Sequence, residues 1–159
     1  PPGGKTEDWM MGRTRFFGDL AKQFQTVTEL PVWVSEFYGG RSKNPQFTAA
    51  NHAACYHHAL QSGARLALLW EGVGQLLTRT GTAEGGQPTP HYSVVQAFNQ
   101  HFGPGTQLYQ TASSSDDIEV LASRSKIMLI SKRPGAVAVR LEGKDLTLEG
   151  YEVRVLDIP

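Results

Sequence analysis

The sequence predicts a mixed fold, αβ units followed by an all-β region, and three observations carry that prediction. Two short apolar runs, Val32-Trp33-Val34 and Ala64 to Trp70, each follow a helical pattern and each end at a carboxylate and a glycine-bearing stretch. Such runs are expected of parallel strands buried on both faces. Beyond a polar stretch, Thr111 to Asp116, the pattern changes to short alternating strands separated by turn residues. The expected division is therefore residues 1–110 for the α/β part and residues 111–159 for a small antiparallel β-domain.

Composition limits the function classes. The chain has 159 residues with 15 basic and 15 acidic side chains, so its formal net charge is zero. No basic run suggests a nucleic acid or an anionic membrane as partner. No apolar stretch approaches the length of a membrane-spanning helix. The single cysteine, Cys55, excludes an internal disulfide framework and leaves the compartment open. The start, Pro1-Pro2-Gly3-Gly4, has no Met and is expected of a cut through a loop in a longer protein.

In chain order, the spacing predicts a first helix from about Glu7 to Thr26, with Thr6 as N-cap and Met10, Phe17, Leu20 and Phe24 on one stripe. Pro31 opens the strand that ends at Ser35-Glu36-Phe37, just before Tyr38 and Gly39-Gly40. A second helix is expected over about Pro45 to Ser62. Its small residues would pack on a sheet, and Asn51, His52, Cys55, His58 and Ser62 would lie on its other, solvated side. Gly63 suits the C′ position. The second strand ends at Trp70-Glu71 and leads into a glycine-rich loop, Gly72 to Gln87. Thr89-Pro90 has the N-cap and N1 chemistry of a third helix, on which His91 and His101 are expected at the surface.

The β-domain strands are expected around Ile118–Ala122, Ile127–Leu129, Val137–Leu141, Leu146–Leu148 and Tyr151–Val155. A domain this small buries too little to stand alone. It is expected to lean on the α/β part through Ile118, Val120, Leu129, Val139 and Val153.

Glu36 is the first candidate for chemistry. Glu is a poor strand former and costly to bury, so its place at the end of an apolar strand needs a reason. The cluster His52-x-x-Cys55-x-His57-His58 suggests a metal, but no second group in the chain has zinc-ligand spacing, so no metal is expected. No cofactor is implied either.

This layout resembles the C-terminal part of a clan A retaining glycoside hydrolase. The likeness rests on Val34-Ser35-Glu36-Phe37, on Leu68-Leu69-Trp70, on the Pro88-Thr89-Pro90 helix start running to Asn99-Gln100-His101-Phe102, and on the trailing β-domain. It implies the last βα units of a (β/α)8 TIM-type barrel followed by a small antiparallel β-sandwich-like domain, as in the xylosidase, iduronidase and arabinofuranosidase-like branches. It further implies Glu36 as nucleophile at the seventh strand and a carbohydrate substrate. Trp70 would stack on the sugar, and Tyr38 would bond the substrate or Glu36. Glu71 would bind a loop or a neighbouring cation, or pair with Glu36. The acid/base of that clan follows an Asn on the fourth strand. This sequence has no Asn-Glu pair, so the acid/base and the first six strands would belong to the N-terminal part of the same barrel. A non-catalytic carbohydrate-binding or scaffold module is the alternative. A fragment of an aldolase or amidohydrolase barrel is a third reading, opposed by the lack of a strand-end Lys or a His-x-His.

Overall fold

The computed structural model describes residues 6–37, 39–40, 42–69, 76 and 86–158. They form a mixed α/β structure with one parallel strand pair, antiparallel sheets and no closed barrel. None of the described helices is long and apolar enough to cross a membrane.

The first helix of the sequence reading is two helices. α1 spans Glu7–Met11, with the Thr6 hydroxyl accepting from the Trp9 N–H. α2 spans Phe16–Gln25. Between them, the Thr14 hydroxyl donates to the Met11 carbonyl at 3.0 Å and is buried there. Gly12 and Thr14 are weak helix formers, and a threonine hydroxyl competes for backbone carbonyls, so the chain breaks at this point. After the break α2 lies close on the next helix. A Cβ at Gly18 would stand 2.6 Å from the His58 carbonyl oxygen.

β1 (Trp33–Phe37) and β2 (Leu66–Leu69) pair in parallel, joined through α3 (Pro45–Gln61). α3 starts on an Asn44 side chain that accepts from Gln46 N–H, and stops at Gly63 in the left-handed region, φ 86°. α4 (Pro90–His101) begins as the sequence predicts: Thr89 Oγ1 accepts from Tyr92 N–H, with Pro90 in the first turn. Among the described residues, the parallel pair is covered on one face. Val32, Val34 and Ala67 pack on Ala21, Ala59 and Ala64. On the other face Trp33 is 65 % exposed and Leu68 48 %, so the expected burial on both faces does not hold among the described residues.

The β region has a strand near each one the sequence predicts, the last beginning at Val153 after a turn at Tyr151, plus β3 (Leu108–Tyr109), which is too short to show in a periodicity. β4 (Ile118–Ser123), β5 (Lys126–Ser131) and β8 (Val153–Asp157) follow β3 in an antiparallel sheet of order β3-β4-β5-β8. β6 (Val137–Leu141) and β7 (Lys144–Leu148) form a hairpin. Its two-residue turn has positive φ at both Glu142 and Gly143, the conformation whose twist matches the strands.

The sheet does lean on the helices, but mostly through the opposite face from the one expected. Leu121, Met128, Ile130 and Tyr151 share one core with Phe47 and Ala53 of α3 and Val94 and Phe98 of α4, and Val153 packs against it. Ile118 and Leu129 instead pack outward with Leu148, where Val120 and Val139 also lie. Glu119 shares the inner face with Leu121, and its charge is met there by partners described below. β3 lies before residue 111 yet pairs with β4, and the core is continuous across that position.

Candidate functional site

Glu36 is exposed at the C-terminal end of β1, and an irregularity in the strand puts it there. Val34 pairs with Ala67 and Phe37 with Leu69, so Ser35 and Glu36 together oppose Leu68. Strict alternation from Val32 and Val34 would send Glu36 under the helices. The extra residue reverses the phase, as a bulge does, and Phe37 takes the inward position. Phe37 is 2 % exposed, with its ring 5.5 Å from Phe17 and 4.8 Å from Tyr56. Glu36 is left exposed on the side away from Ala21, Ala59 and Ala64, with no helix above it among the described residues.

The Gly39-Gly40 segment beyond Glu36 is held from beneath. Asn51 Oδ1 accepts from the Gly40 N–H at 2.5 Å, and Asn51 Nδ2 donates to the Met10 carbonyl at 3.2 Å. The His52 ring lies so close to Gly39 that a Cβ there would stand 2.0 Å from His52 Cδ2. His52 in turn packs on His91, with ring centroids 4.3 Å apart and planes inclined by 39°. Both rings are fully buried. Burial, reinforced by His91, pushes the His52 pKa down to about 3 against a smaller opposing effect of its hydrogen bond with the Gly39 backbone, and burial brings His91 to about 4. Both imidazoles are therefore neutral at pH 7.

A second polar cluster joins α3 to the sheet. His58 Nε2 lies 3.0 Å from Glu119 Oε1, Lys132 Nζ donates to the same oxygen at 2.7 Å, and His57 Nε2 lies 3.5 Å from Oε2. The Arg15 guanidinium stands 3.9 Å away. Burial alone would raise the Glu119 carboxyl, but the hydrogen bonds and charges of His58 and Lys132 outweigh it and hold the pKa down to about 2. Burial, with the neighbouring His58, lowers His57 to about 4. At pH 7 His57 is neutral, and Lys132 is the close cation that matches Glu119.

These positions correct the sequence reading of α3 and α4. Asn51, His52, Cys55 and Ser62 are buried rather than solvated, and so is His91. α3 is enclosed by α2, the parallel pair, α4 and the sheet. A signal was present in the sequence: the segment Pro45–Gln61 contains no Asp, Glu, Lys or Arg, and a helix without charges is usually buried all round. Burial pushes the Cys55 thiol up to about 12, so it is neither a ready ligand nor a nucleophile. His57, His58 and Glu119 do bring three donor atoms within 4.8 Å of one another, a grouping that spacing along the chain could not show. The cationic position beside that carboxylate is filled by the Lys132 ammonium.

Of the four residues expected at the site, Glu36 is among those described. Tyr38, Trp70 and Glu71, with most of the glycine-rich loop after β2, lie outside the described residues. Comparison with family models, with curated proteins and with solved structures finds no match to this chain.

Proposed function

We propose that the chain is the C-terminal part of a retaining glycoside hydrolase, with residues 1–110 ending a (β/α)8 barrel and 111–159 forming its trailing β-domain. The observation that carries the proposal is the exposed carboxylate of Glu36, turned by the β1 irregularity onto the face of a parallel strand pair left uncovered among the described residues. Parallel strands are normally covered on both faces. Exposed Trp33 and Leu68 favour further barrel strands, and so does a groove of about 830 Å³ along β2 lined in part by Leu66, Leu68, Phe98 and Phe102. Those strands, from the N-terminal part of the same barrel, would bring the acid/base carboxyl. Active sites of such barrels sit at the C-terminal ends of the strands, where Glu36 stands.

The chemistry is a double displacement. The Glu36 carboxylate attacks the anomeric carbon while the acid/base carboxyl, about 5–5.5 Å away, gives its proton to the leaving oxygen. A glycosyl ester forms on Glu36. The second carboxylate then takes a proton from water, the water attacks the anomeric carbon, and Glu36 leaves with configuration retained. Trp70 supplies an aromatic face for the sugar, and Tyr38 a hydroxyl for the substrate or for Glu36. Glu71 takes the lesser part of binding a loop or cation. The β region favours this reading over a carbohydrate-binding module. Its lone aromatic residue beyond position 115, Tyr151, is in the core and offers no stacking surface.

The test is anion rescue. In the full-length protein, Glu36→Ala should be inactive on an activated aryl glycoside and regain cleavage with azide, which enters the vacated space. The product should be a glycosyl azide of inverted configuration. Full activity of Glu36→Ala without azide would remove Glu36 from the reaction.

A further inference from the structure

We propose that Asn51, His52 and His91 are positioning residues for Glu36, acting as a clamp on Gly39 and Gly40. The inference rests on Glu36 being the nucleophile. It goes further by naming what aims the carboxylate.

The clamp grips the chain on both sides of residue 38. Before it, the Phe37 ring meets the His52 ring edge-on at 6.4 Å between centroids. After it, Gly39 lies against His52, and Gly40 donates its N–H to Asn51 Oδ1. Both glycines are required by contact. A Cβ at Gly39 would meet His52 at 2.0 Å, and one at Gly40 would meet the Met10 side chain at 2.8 Å. Three helices converge here: α1 through the Met10 carbonyl, α3 through Asn51 and His52, and α4 through His91.

The choice of residue types is informative. An apolar side chain would fill the space under the two glycines at no desolvation cost. Here an amide and two imidazoles are buried, and both ring nitrogens of His91 lack a hydrogen-bond partner among the described residues. Leaving a buried polar atom unsatisfied is destabilising. Directional bonds from Asn51 fix the orientation of the Gly40 peptide, which apolar packing cannot do. Neutral rings can pack at this tilt, whereas two imidazolium ions at 4.3 Å would repel. Nucleophiles need this support from beneath, because misplacing a reacting group by 1 Å can cost roughly 100-fold in rate.

The experiment is a size exchange in the full-length protein, read as kcat and KM on an activated aryl glycoside. Gly39→Ala should lower kcat about 100-fold, with KM changed less than about threefold, because the aim of Glu36 and not sugar binding is disturbed. His52→Ala alone should lower kcat about tenfold or more. The double variant Gly39→Ala/His52→Ala should recover at least about tenfold over Gly39→Ala, since the small side chain at 52 makes room for the new methyl. Far-ultraviolet circular dichroism establishes that each variant is folded. Equal losses in kcat and in substrate binding, or strictly additive losses in the double variant, would overturn the clamp while leaving Glu36 as nucleophile. Absence of any glycoside cleavage by the wild-type protein would overturn the glycosidase reading itself, and the clamp's role with it.

Discussion

Glu36→Gln in the full-length protein is expected to lower kcat on the order of 10⁵-fold, the scale seen when a catalytic nucleophile is removed, while substrate still binds. Gln has nearly the shape of Glu and keeps one hydrogen-bond acceptor, so the ground state loses little. Its amide cannot form the glycosyl ester, so the step that fails is the attack. A better leaving group should therefore give no rescue, because leaving-group protonation is not what is missing. Glu71→Gln should cost far less. Direct kinetics with aryl glycosides of graded leaving-group pKa check this. A strong leaving-group dependence confined to Glu36→Gln would make Glu36 the acid/base instead. A dead Glu71→Gln beside an active Glu36→Gln would exchange the two roles.

Acidification should unfold the chain well before its carboxylates as a class are protonated. His52 is held near pKa 3, and His57 and His91 near 4, all by burial first, against an ordinary value of 6.5. Below pH 6.5 the unfolded chain takes protons on these residues and the folded chain does not. Stability is therefore fully present above pH 6.5 and is lost as pH falls towards the folded values. One pKa unit corresponds to about 1.4 kcal/mol, and each of the three is lowered by more than two units. The loss by pH 4 is thus several kcal/mol, a large share of the roughly 5–15 kcal/mol that holds a domain together. Glu119 adds a second window. Its carboxyl is held near 2 against an ordinary 4.5, so its stabilising part is present above pH 4.5 and lost as pH falls through 2. Calorimetry between pH 7 and 4 should show a steeply falling Tm, with about three protons taken up on unfolding near pH 5. Glu119→Gln should leave that upper window in place and remove the lower one. A Tm flat from pH 7 to 5 would mean that these histidines are not buried neutral in solution.

The fold was legible where local chemistry decides it. Thr89-Pro90, Pro45 and Gly63 mark helix ends by satisfying or vacating backbone groups, and the helices end there. Glu142-Gly143 closes its hairpin for a similar local reason. What was not legible depends on partners distant in sequence. Nothing local marks Glu119 for burial, because His58 and Lys132, the groups that allow it, lie 61 and 13 residues away. The same blindness put Asn51 and His52 on a solvated side. Their partners are the Gly40 N–H, the Met10 carbonyl and the His91 ring, none of which helical periodicity can show. The β1 irregularity was also invisible, because Ser35 and Glu36 fit an ordinary strand end until their shared opposition to Leu68 is seen. The place of Glu36 at the end of an apolar strand was legible, because the run of apolar residues stops there and β1 ends at Phe37.

The most direct test of Glu36 as nucleophile is to trap the glycosyl ester. A 2-deoxy-2-fluoro glycoside with a dinitrophenolate leaving group slows both displacements, and the good leaving group lets the first outrun the second, so the ester accumulates. Digestion of the inactivated full-length protein and mass spectrometry should find one added fluorosugar on the peptide containing Glu36, released again by a transglycosylation acceptor as activity returns. A stable label on another carboxylate, or turnover with no label on Glu36, would contradict its assignment as the nucleophile.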